Sequence, residues 1–215
     1  MSVVIAVMGE SGSGKTTSLR TLDPKETFII DADRKGLSWR GWRKLYNYAN
    51  RNYIATSNVP VIEKYLDRID KGDLKNVKVV VIDTINTIMV DDEMNRMKEK
   101  SFDKWQDLAT CIWGLISKLY LLREDLTVVC MAHTQTDVDE NGYIFTRLKT
   151  SGKKLNKISL ESKFTTVLLA KASDGDYIFE TYANHSTAKS PMDCFDKTIP
   201  NDMKFVIDSL KEYEQ

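Results

Sequence analysis

The chain has 215 residues, of which 42% are hydrophobic, and its 31 lysines and arginines balance 31 aspartates and glutamates. This length fits one domain with a substantial core, and the zero net charge excludes steering of the whole molecule toward nucleic acid or membrane. Because no apolar run has the length of a membrane span and the three cysteines form no C-x-x-C pair, we expect one cytoplasmic domain, residues 1–215, with no membrane partner.

The first predicted strand, Val3–Met8, leads into a glycine-rich loop that matches G-x-x-x-x-G-K-[ST] in full. The loop residues are Gly9, Glu10, Ser11, Gly12, Ser13, Gly14, Lys15 and Thr16, and Thr17–Leu22 can continue as a helix. Glycines allow backbone N–H groups to close around a phosphate. Lys15 supplies a cation for the β- and γ-phosphates, Thr16 a hydroxyl for Mg²⁺ and Thr17 a further phosphate donor. The sequence therefore predicts a nucleoside triphosphate site.

Strands and helices alternate after the loop. The predicted strands are Thr27–Ile30, Tyr53–Thr56, Val77–Ile82 and Leu126–Met131, and the predicted helices are one capped by Asn58 and a long amphipathic one from Trp105 to Leu122. This alternation indicates an α/β fold with a mostly parallel, doubly wound sheet.

The pattern changes in the last third of the chain. The segment 139–142 looks like a hairpin turn, and Thr165–Ala170 and Tyr177–Tyr182 read as two strands joined at Asp174-Gly175. A polar stretch then leads to a helix capped near Asp202. We therefore expect an antiparallel hairpin in this part of the sheet.

Asp83 ends the most apolar predicted strand and is suited to hold Mg²⁺ together with Thr16. The alternative is an aspartate that merely ends a strand at a turn. A GTPase is disfavoured, because no glycine follows in a D-x-x-G pattern and no N-K-x-D loop follows an apolar strand. A strand at Thr27–Ile30, inserted between the loop and the Asp83 strand, favours the ATPase branch, in whose sheet a strand separates those two elements.

Four segments together resemble the RecA-like ATPases: Gly9–Thr16, Phe28–Asp33, Val79–Thr84 and Val128–His133 with Gln135. They are most similar to the compact RecA-core proteins of phages that act as single-strand annealing recombinases, as are Thr187–Pro191 and Ile199–Asp202. The resemblance implies a RecA-like P-loop NTPase core that hydrolyses ATP with Mg²⁺. It also implies single-stranded DNA as a partner, a homo-oligomer (ring or short filament), a single-strand-binding protein as a further partner, and the cytoplasm of an infected bacterium.

The same resemblance assigns roles to residues beyond the loop. Asp33 stands where the family places the acid that polarises the attacking water, usually a glutamate, and Asp31 is the alternative for this role. His133 and Gln135 stand where the family senses the γ-phosphate. With Lys15 and Asp83, these residues form the expected catalytic set.

Two basic segments stand out against the neutral whole. Residues 34–53 include Trp39, Arg40, Trp42 and Arg43 without any acid, a mixture that suits single-stranded DNA. The alternatives are aromatics packed on the sheet or a subunit contact. Residues 147–163 include Lys153 and Lys154, which the resemblance places near DNA or a neighbouring subunit's phosphates. The alternative is a solvated charge run.

Two further functions compete with the recombinase hypothesis. One is a protein that uses ATP to switch partner binding without contacting DNA. The other is a small-molecule kinase, which would consume ATP only with a phosphate acceptor.

Overall fold

The computed structural model describes residues 1–98, 104–151, 159–173 and 175–214. Strands are β1 (Val3–Gly9), β2 (Thr27–Asp31), β3 (Tyr53–Ile54), β4 (Val79–Asp83), β5 (Thr127–Ala132), β6 (Thr134–Val138), β7 (Ile144–Leu148), β8 (Thr166–Ser173), β9 (Asp176–Glu180) and β10 (Thr198–Pro200). Helices are α1 (Trp42–Leu45), α2 (Val59–Asp70), α3 (Ile85–Asn95), α4 (Lys104–Tyr120) and α5 (Met203–Tyr213), with 3-10 helices at Thr16–Thr21 and Leu160–Lys163.

An eight-stranded sheet forms the centre, in the order β10-β9-β8-β1-β5-β4-β2-β3. The strands from β8 to β3 are parallel, whereas β9 and β10 are antiparallel to their neighbours. Strands β6 and β7 form a separate antiparallel hairpin. The predicted fold class is confirmed as an α/β fold with a mostly parallel sheet, flanking helices and an antiparallel hairpin in the last third.

The central strands are buried on both faces, as their apolar runs predict. Along β1, Val4 and Met8 face a core that includes residues of α2, α3 and α4, and Ile5 and Val7 face a second core that includes residues of α5. Alternate residues of a strand point to opposite faces, so one short segment joins both layers. This burial fixes the register of the strand ends that carry the site.

Two helix starts are set by side-chain caps that the sequence predicts. The Asn58 side chain accepts a hydrogen bond from Val61 N at 3.1 Å at the start of α2. Asp202 accepts one from Phe205 N at 3.0 Å at the start of α5. Each cap satisfies an amide that has no partner within its helix.

Several elements differ from the sequence prediction. The segment after the phosphate loop is a 3-10 helix, in which the Ser18 and Thr21 hydroxyls donate to carbonyls three residues earlier. The strand predicted at Tyr53–Thr56 has only two residues, at the sheet edge. Helix α3 and strand β10 were not predicted. Asp174, at the predicted turn between β8 and β9, lies outside the described residues.

The strand that separates β1 from β4 is β5, and β2 lies on the far side of β4. The prediction that Thr27–Ile30 is the strand between the phosphate-loop strand and the Asp83 strand was therefore wrong. Chain order does not determine sheet order, because crossover helices let the chain skip positions in a parallel sheet.

Among the described residues, no helix has the length and apolar character needed to cross a membrane.

Candidate functional site

The phosphate loop connects the carboxyl end of β1 to the first 3-10 helix. Gly12 and Gly14 have φ values of +81° and +90°, which L side chains rarely adopt. A Cβ added to Gly14 would also lie 2.6 Å from Cδ1 of Tyr177. The loop therefore needs glycine at Gly14 for both its backbone angle and its close packing.

The carboxyl ends of four neighbouring strands meet beside this loop. In the sheet, Met8 is paired with Ala132 and Asp31 with Asp83, so the segments that follow these residues lie next to one another. They form a pocket of about 420 Å³, and its lining includes Gly12, Gly14, Lys15, Thr16, Thr17, Lys35, Ser38, Asp83, Thr84, His133 and Tyr177. The carboxyl edge of a parallel sheet is the usual position of a ligand site in such folds.

The Lys15 ammonium lies within the phosphate loop. It donates hydrogen bonds to the carbonyl oxygens of Gly9 and Glu10, both at 2.7 Å. Burial lowers the pKa of Lys15 to about 8, against the opposing effect of the nearby Asp83 carboxylate. A cation so placed can exchange loop carbonyls for phosphate oxygens.

Thr16 and Asp83 form a hydrogen-bonded pair in the same pocket. Thr16 Oγ1 donates to Asp83 Oδ2 at 2.7 Å, while Asp83 Oδ1 is buried and has no hydrogen-bond partner among the described residues. Burial raises the pKa of Asp83 to about 6. A buried carboxylate oxygen without a partner, beside a threonine hydroxyl, fits the oxygen ligands that Mg²⁺ prefers.

Two carboxylates at the end of β2 have different surroundings. Asp31 Oδ2 accepts hydrogen bonds from Gly36 N at 2.7 Å and from the Tyr53 hydroxyl at 2.6 Å, which tie the following loop to the sheet. Asp33 is held beside Asp83, because its backbone N–H donates to the Asp83 carbonyl at 3.3 Å. Of the two candidates for positioning water, Asp33 contacts the pocket-lining residues Lys35 and Thr84 through its side chain, and Asp31 stabilises the loop.

His133 and Gln135 have different positions. His133 lines the pocket, its backbone N–H donates to Asn86 Oδ1 at 2.6 Å, and burial together with the Lys15 charge lowers its pKa. The Gln135 side chain donates to Asp137 at 3.1 Å and accepts from Thr150 N at 3.4 Å. His133 therefore lies at the pocket, whereas the Gln135 side chain is hydrogen-bonded to Asp137 and Thr150, in and beside the β6–β7 hairpin.

The basic segment 34–53 lies next to the pocket. Arg40 and Arg43 are exposed, whereas Trp39 and Trp42 are half-buried and pack against the core that contains α5. The Arg43 guanidinium lies 5.3 Å from the centre of the Trp42 ring. This arrangement agrees with the packing alternative for the two tryptophans and leaves the two arginines available to solvent.

Lys153 and Lys154, in the second basic segment, lie outside the described residues. Arg147, in the same segment, is buried and paired with Asp137 at 3.3 Å and with Glu161 at 3.5 Å. Lys163 donates to Ser117 Oγ at 2.9 Å. Arg147 and Lys163 therefore serve internal contacts.

Four residues of the pocket were not among the predicted site residues: Lys35, Ser38, Thr84 and Tyr177. From the sequence, Lys35 is predicted only as part of the basic segment, and Tyr177 only as part of a strand. Both line the pocket. Tyr177 comes from a strand far along the chain, so no local pattern could place it, whereas Lys35 lies two residues after Asp33 and could have been suspected from that spacing.

We expect Mg²⁺-dependent ATP binding to be tightest between about pH 6 and pH 8, the pKa values of Asp83 and Lys15. Below this range the Asp83 carboxylate is protonated, so it loses the negative charge that attracts Mg²⁺. Above it, Lys15 is neutral and loses its attraction to phosphate. Titration of ATP affinity against pH, with Mg²⁺ and with EDTA, measures both limits.

ATP itself takes up a proton near the acid limit, and Mg²⁺ shifts that step, so Asp83→Asn measured with Mg²⁺ is the control. Asp83→Asn has no carboxylate to titrate, so its curve should lack the part of the acid decline that begins in the parent near pH 6. In Lys15→Arg the alkaline decline should disappear, because arginine stays charged. Parallel acid declines of the parent and Asp83→Asn would contradict the role of Asp83.

Comparisons with known proteins give one similar solved structure and one matching family. One solved structure similar to the chain is that of a RadB recombinase, with 15% identity, a TM-score of 0.47, and coverage of 83% of this chain and 79% of that one. At this level the likeness carries no functional argument. No curated protein sequence matches significantly. The family AAA_24, described as an AAA domain, matches residues 1–192.

With most of its length matched by this family and a phosphate loop at the carboxyl edge of a mostly parallel sheet, the chain belongs to the AAA_24 family of AAA domains.

Proposed function

We propose that the protein is an ATPase that requires Mg²⁺. One observation carries the proposal: the Thr16–Asp83 pair, with its buried unpartnered Oδ1, and Lys15 line the same pocket. Asp33 adjoins them through its backbone bond to Asp83. A binding-only site needs the loop and its lysine. A carboxylate beside the position of the terminal phosphate is the additional group that hydrolysis requires.

Each side chain then has a defined task. Loop N–H groups and Lys15 hold the β- and γ-phosphates, and Thr16 and Asp83 would hold Mg²⁺, which supplies positive charge to the phosphate oxygens when bound. Asp33 orients the attacking water and accepts its hydrogen bond. His133 lies at the pocket wall, where an imidazole can sense the presence of the terminal phosphate.

Adenine is the base that we propose for the nucleotide. The sequence has no N-K-x-D loop after an apolar strand, which is the pattern that reads guanine. The strand β5 between β1 and β4 also favours an ATPase over a small-molecule kinase, in which the metal-binding carboxylate usually lies near the strand adjacent to β1.

We further propose that the protein binds single-stranded DNA, assembles as a ring or short filament, and acts in phage-type recombination or strand annealing. The resemblance of its motifs to phage RecA-core proteins supports this role. The exposed Arg40 and Arg43 support DNA contact, because their segment borders the nucleotide pocket through a 2.9 Å hydrogen bond between Ser38 and Thr17. Nucleotide and DNA could therefore influence each other across a short distance.

Binding of single-stranded DNA should fall steeply with salt, because a neutral protein contacts phosphates only through local cations. Replacing Arg40 and Arg43 together with Ala should weaken binding about tenfold or more at low salt and reduce the salt slope by about 1.4. Gel-shift titrations with ATP and Mg²⁺ at two salt concentrations measure this, and Lys64→Ala, an exposed lysine on α2, is the matched control.

Absence of DNA retention at low salt would leave the ATPase intact and remove the recombinase role. The ATP-gated interaction protein would then be favoured. The packing of Trp39 and Trp42 against the core fits that second function, because it takes part of these two candidate DNA-contacting side chains out of solvent.

A further inference from the structure

Asp33 is fully engaged by neighbouring side chains. One carboxylate oxygen, Oδ2, is ion-paired with Lys35. The other, Oδ1, accepts hydrogen bonds from Thr84 Oγ1 at 2.9 Å and from Thr87 Oγ1. The Asp33 side chain is only 8% exposed. A carboxylate in this state has little remaining capacity to accept a hydrogen bond from a water molecule.

These contacts also make Asp33 a weak base. Burial alone raises its pKa, but the bonds from Lys35, Thr87 and Thr84 outweigh burial, and the net pKa lies below its ordinary value. A group that polarises water works better with a higher proton affinity. The arrangement described here therefore opposes the task that the proposed function gives to Asp33.

Lys35 is the partner that can leave. Its side chain is 58% exposed, and it lines the phosphate pocket together with Lys15 and Asp83. The backbone beside it is fixed, because the next residue, Gly36, donates its N–H to Asp31 at 2.7 Å. Thr84 and Thr87 belong to the segment after β4, so they can keep hold of Oδ1 when Lys35 moves.

We propose that Lys35 exchanges partners when ATP binds: its ammonium leaves Asp33 Oδ2 for the terminal phosphate, and the freed oxygen becomes available to the attacking water. This inference rests on the proposed ATPase function and adds the step by which ATP binding frees Asp33. A terminal phosphate carries more negative charge than one carboxylate, so it competes well for the ammonium. ADP lacks the γ-phosphate, so with ADP the ion pair persists and Asp33 stays engaged.

Because the exchange needs the γ-phosphate, substitutions at Lys35 and Asp33 should change the affinity for ATP more than the affinity for ADP. Lys35→Ala should weaken binding of a non-hydrolysable ATP analogue with Mg²⁺ about tenfold, and should change ADP affinity by less than about threefold. When Lys35 is present, Asp33→Asn should tighten the binding of the analogue, because the ammonium no longer has to leave a carboxylate. When Lys35 is also replaced with Ala, Asp33→Asn should tighten analogue binding much less, because this double variant has no ammonium to release.

The experiment is a double-mutant cycle at positions 33 and 35, with analogue and ADP affinities measured by calorimetry. Lys64→Ala serves as the control for loss of one exposed positive charge, and Lys35→Arg tests whether a retained charge restores discrimination between analogue and ADP. Thermal unfolding of each variant shows whether it is folded. The readout is binding, so it does not depend on turnover.

Additive effects of the two substitutions, or an equal loss of analogue and ADP affinity in Lys35→Ala, would overturn the exchange. Either result is compatible with a working ATPase as long as the parent binds the analogue and Lys15→Ala does not. If the parent itself fails to bind the analogue, the proposed function fails, and the inference fails with it.

Discussion

ATP hydrolysis by Lys15→Ala should fall by about 100-fold or more, and ATP binding should weaken in parallel. The ammonium donates to the Gly9 and Glu10 carbonyls and interacts electrostatically with the Asp83 carboxylate. Alanine leaves these negative groups facing the triphosphate without a cation. Both the ground state and the transition state therefore lose attraction and gain repulsion.

Rates of phosphate release and calorimetric ATP affinities measure this effect. Lys64→Ala, on the surface of α2, is the control for removal of a lysine and should behave as the parent does. Thermal unfolding should show that Lys15→Ala remains folded, because the site adjoins the core without being part of either apolar cluster. Parent-like hydrolysis by Lys15→Ala would remove the phosphate loop from the chemistry.

Asp83→Asn should stabilise the nucleotide-free protein while it abolishes the Mg²⁺-dependent activity. In the folded chain the pKa of Asp83 is raised by burial to about 6, from an ordinary value of 3.8. Folding therefore favours the protonated acid, and the stability that protonation provides is lost as pH rises from about 4 to about 6. At neutral pH the ionised group costs roughly 3 kcal/mol. Asparagine carries no charge and can still accept the Thr16 hydrogen bond.

Urea unfolding in EDTA at pH 7.5 and pH 5 tests this prediction. The advantage of Asp83→Asn should approach the full value at pH 7.5 and shrink at pH 5, where the parent's Asp83 is mostly protonated. Asp31→Asn is the control, a second buried strand-end aspartate whose Oδ2 accepts two hydrogen bonds, and we expect no gain from it. An equal advantage at both pH values, or a loss of stability at pH 7.5, would contradict the account.

At Asp83, the requirements of magnesium binding and of stability oppose each other. A carboxylate oxygen that is buried without a partner destabilises the nucleotide-free fold. The same oxygen is the one that fits a magnesium ion beside Thr16. Bound Mg²⁺ with ATP should therefore raise the stability of the parent and have little effect on Asp83→Asn.

The sequence was sufficient for the elements whose signals are local. Apolar runs placed β1, β2, β4 and β5 to within two residues, because strands buried on both faces need continuous hydrophobic stretches. Asn58 and Asp202 marked helix starts through the side-chain oxygens that cap them. The phosphate loop was identified from fixed glycine and lysine spacing.

Features that depend on contacts across the chain were not predictable in this way. Helix α3 was missed because its sequence, from Ile85 to Asn95, has little amphipathic pattern, and its buried residues are concentrated in its first half. The order of strands in the sheet depends on crossovers, so β5 was not recognised as the strand between β1 and β4. Tyr177 reaches the pocket only because β9 folds back antiparallel to β8.

The sequence predicted which residues form the site better than it predicted the contacts between them. Lys15, Thr16, Asp83 and His133 meet at one pocket, as their positions after predicted strands indicated. The hydrogen bonds that distinguish Asp31 from Asp33 could not be read from the sequence, because both aspartates end the same strand. Their partners, Tyr53 and Thr84, come from other strand ends.

Phosphate release from ATP should be measured for the purified parent and for Asp33→Ala, with Mg²⁺ and with EDTA. We expect turnover by the parent only with Mg²⁺. We expect Asp33→Ala to bind ATP at least as tightly as the parent but to release phosphate about 100-fold more slowly. Equal turnover by the two proteins, or turnover by the parent that persists in EDTA, would contradict this expectation.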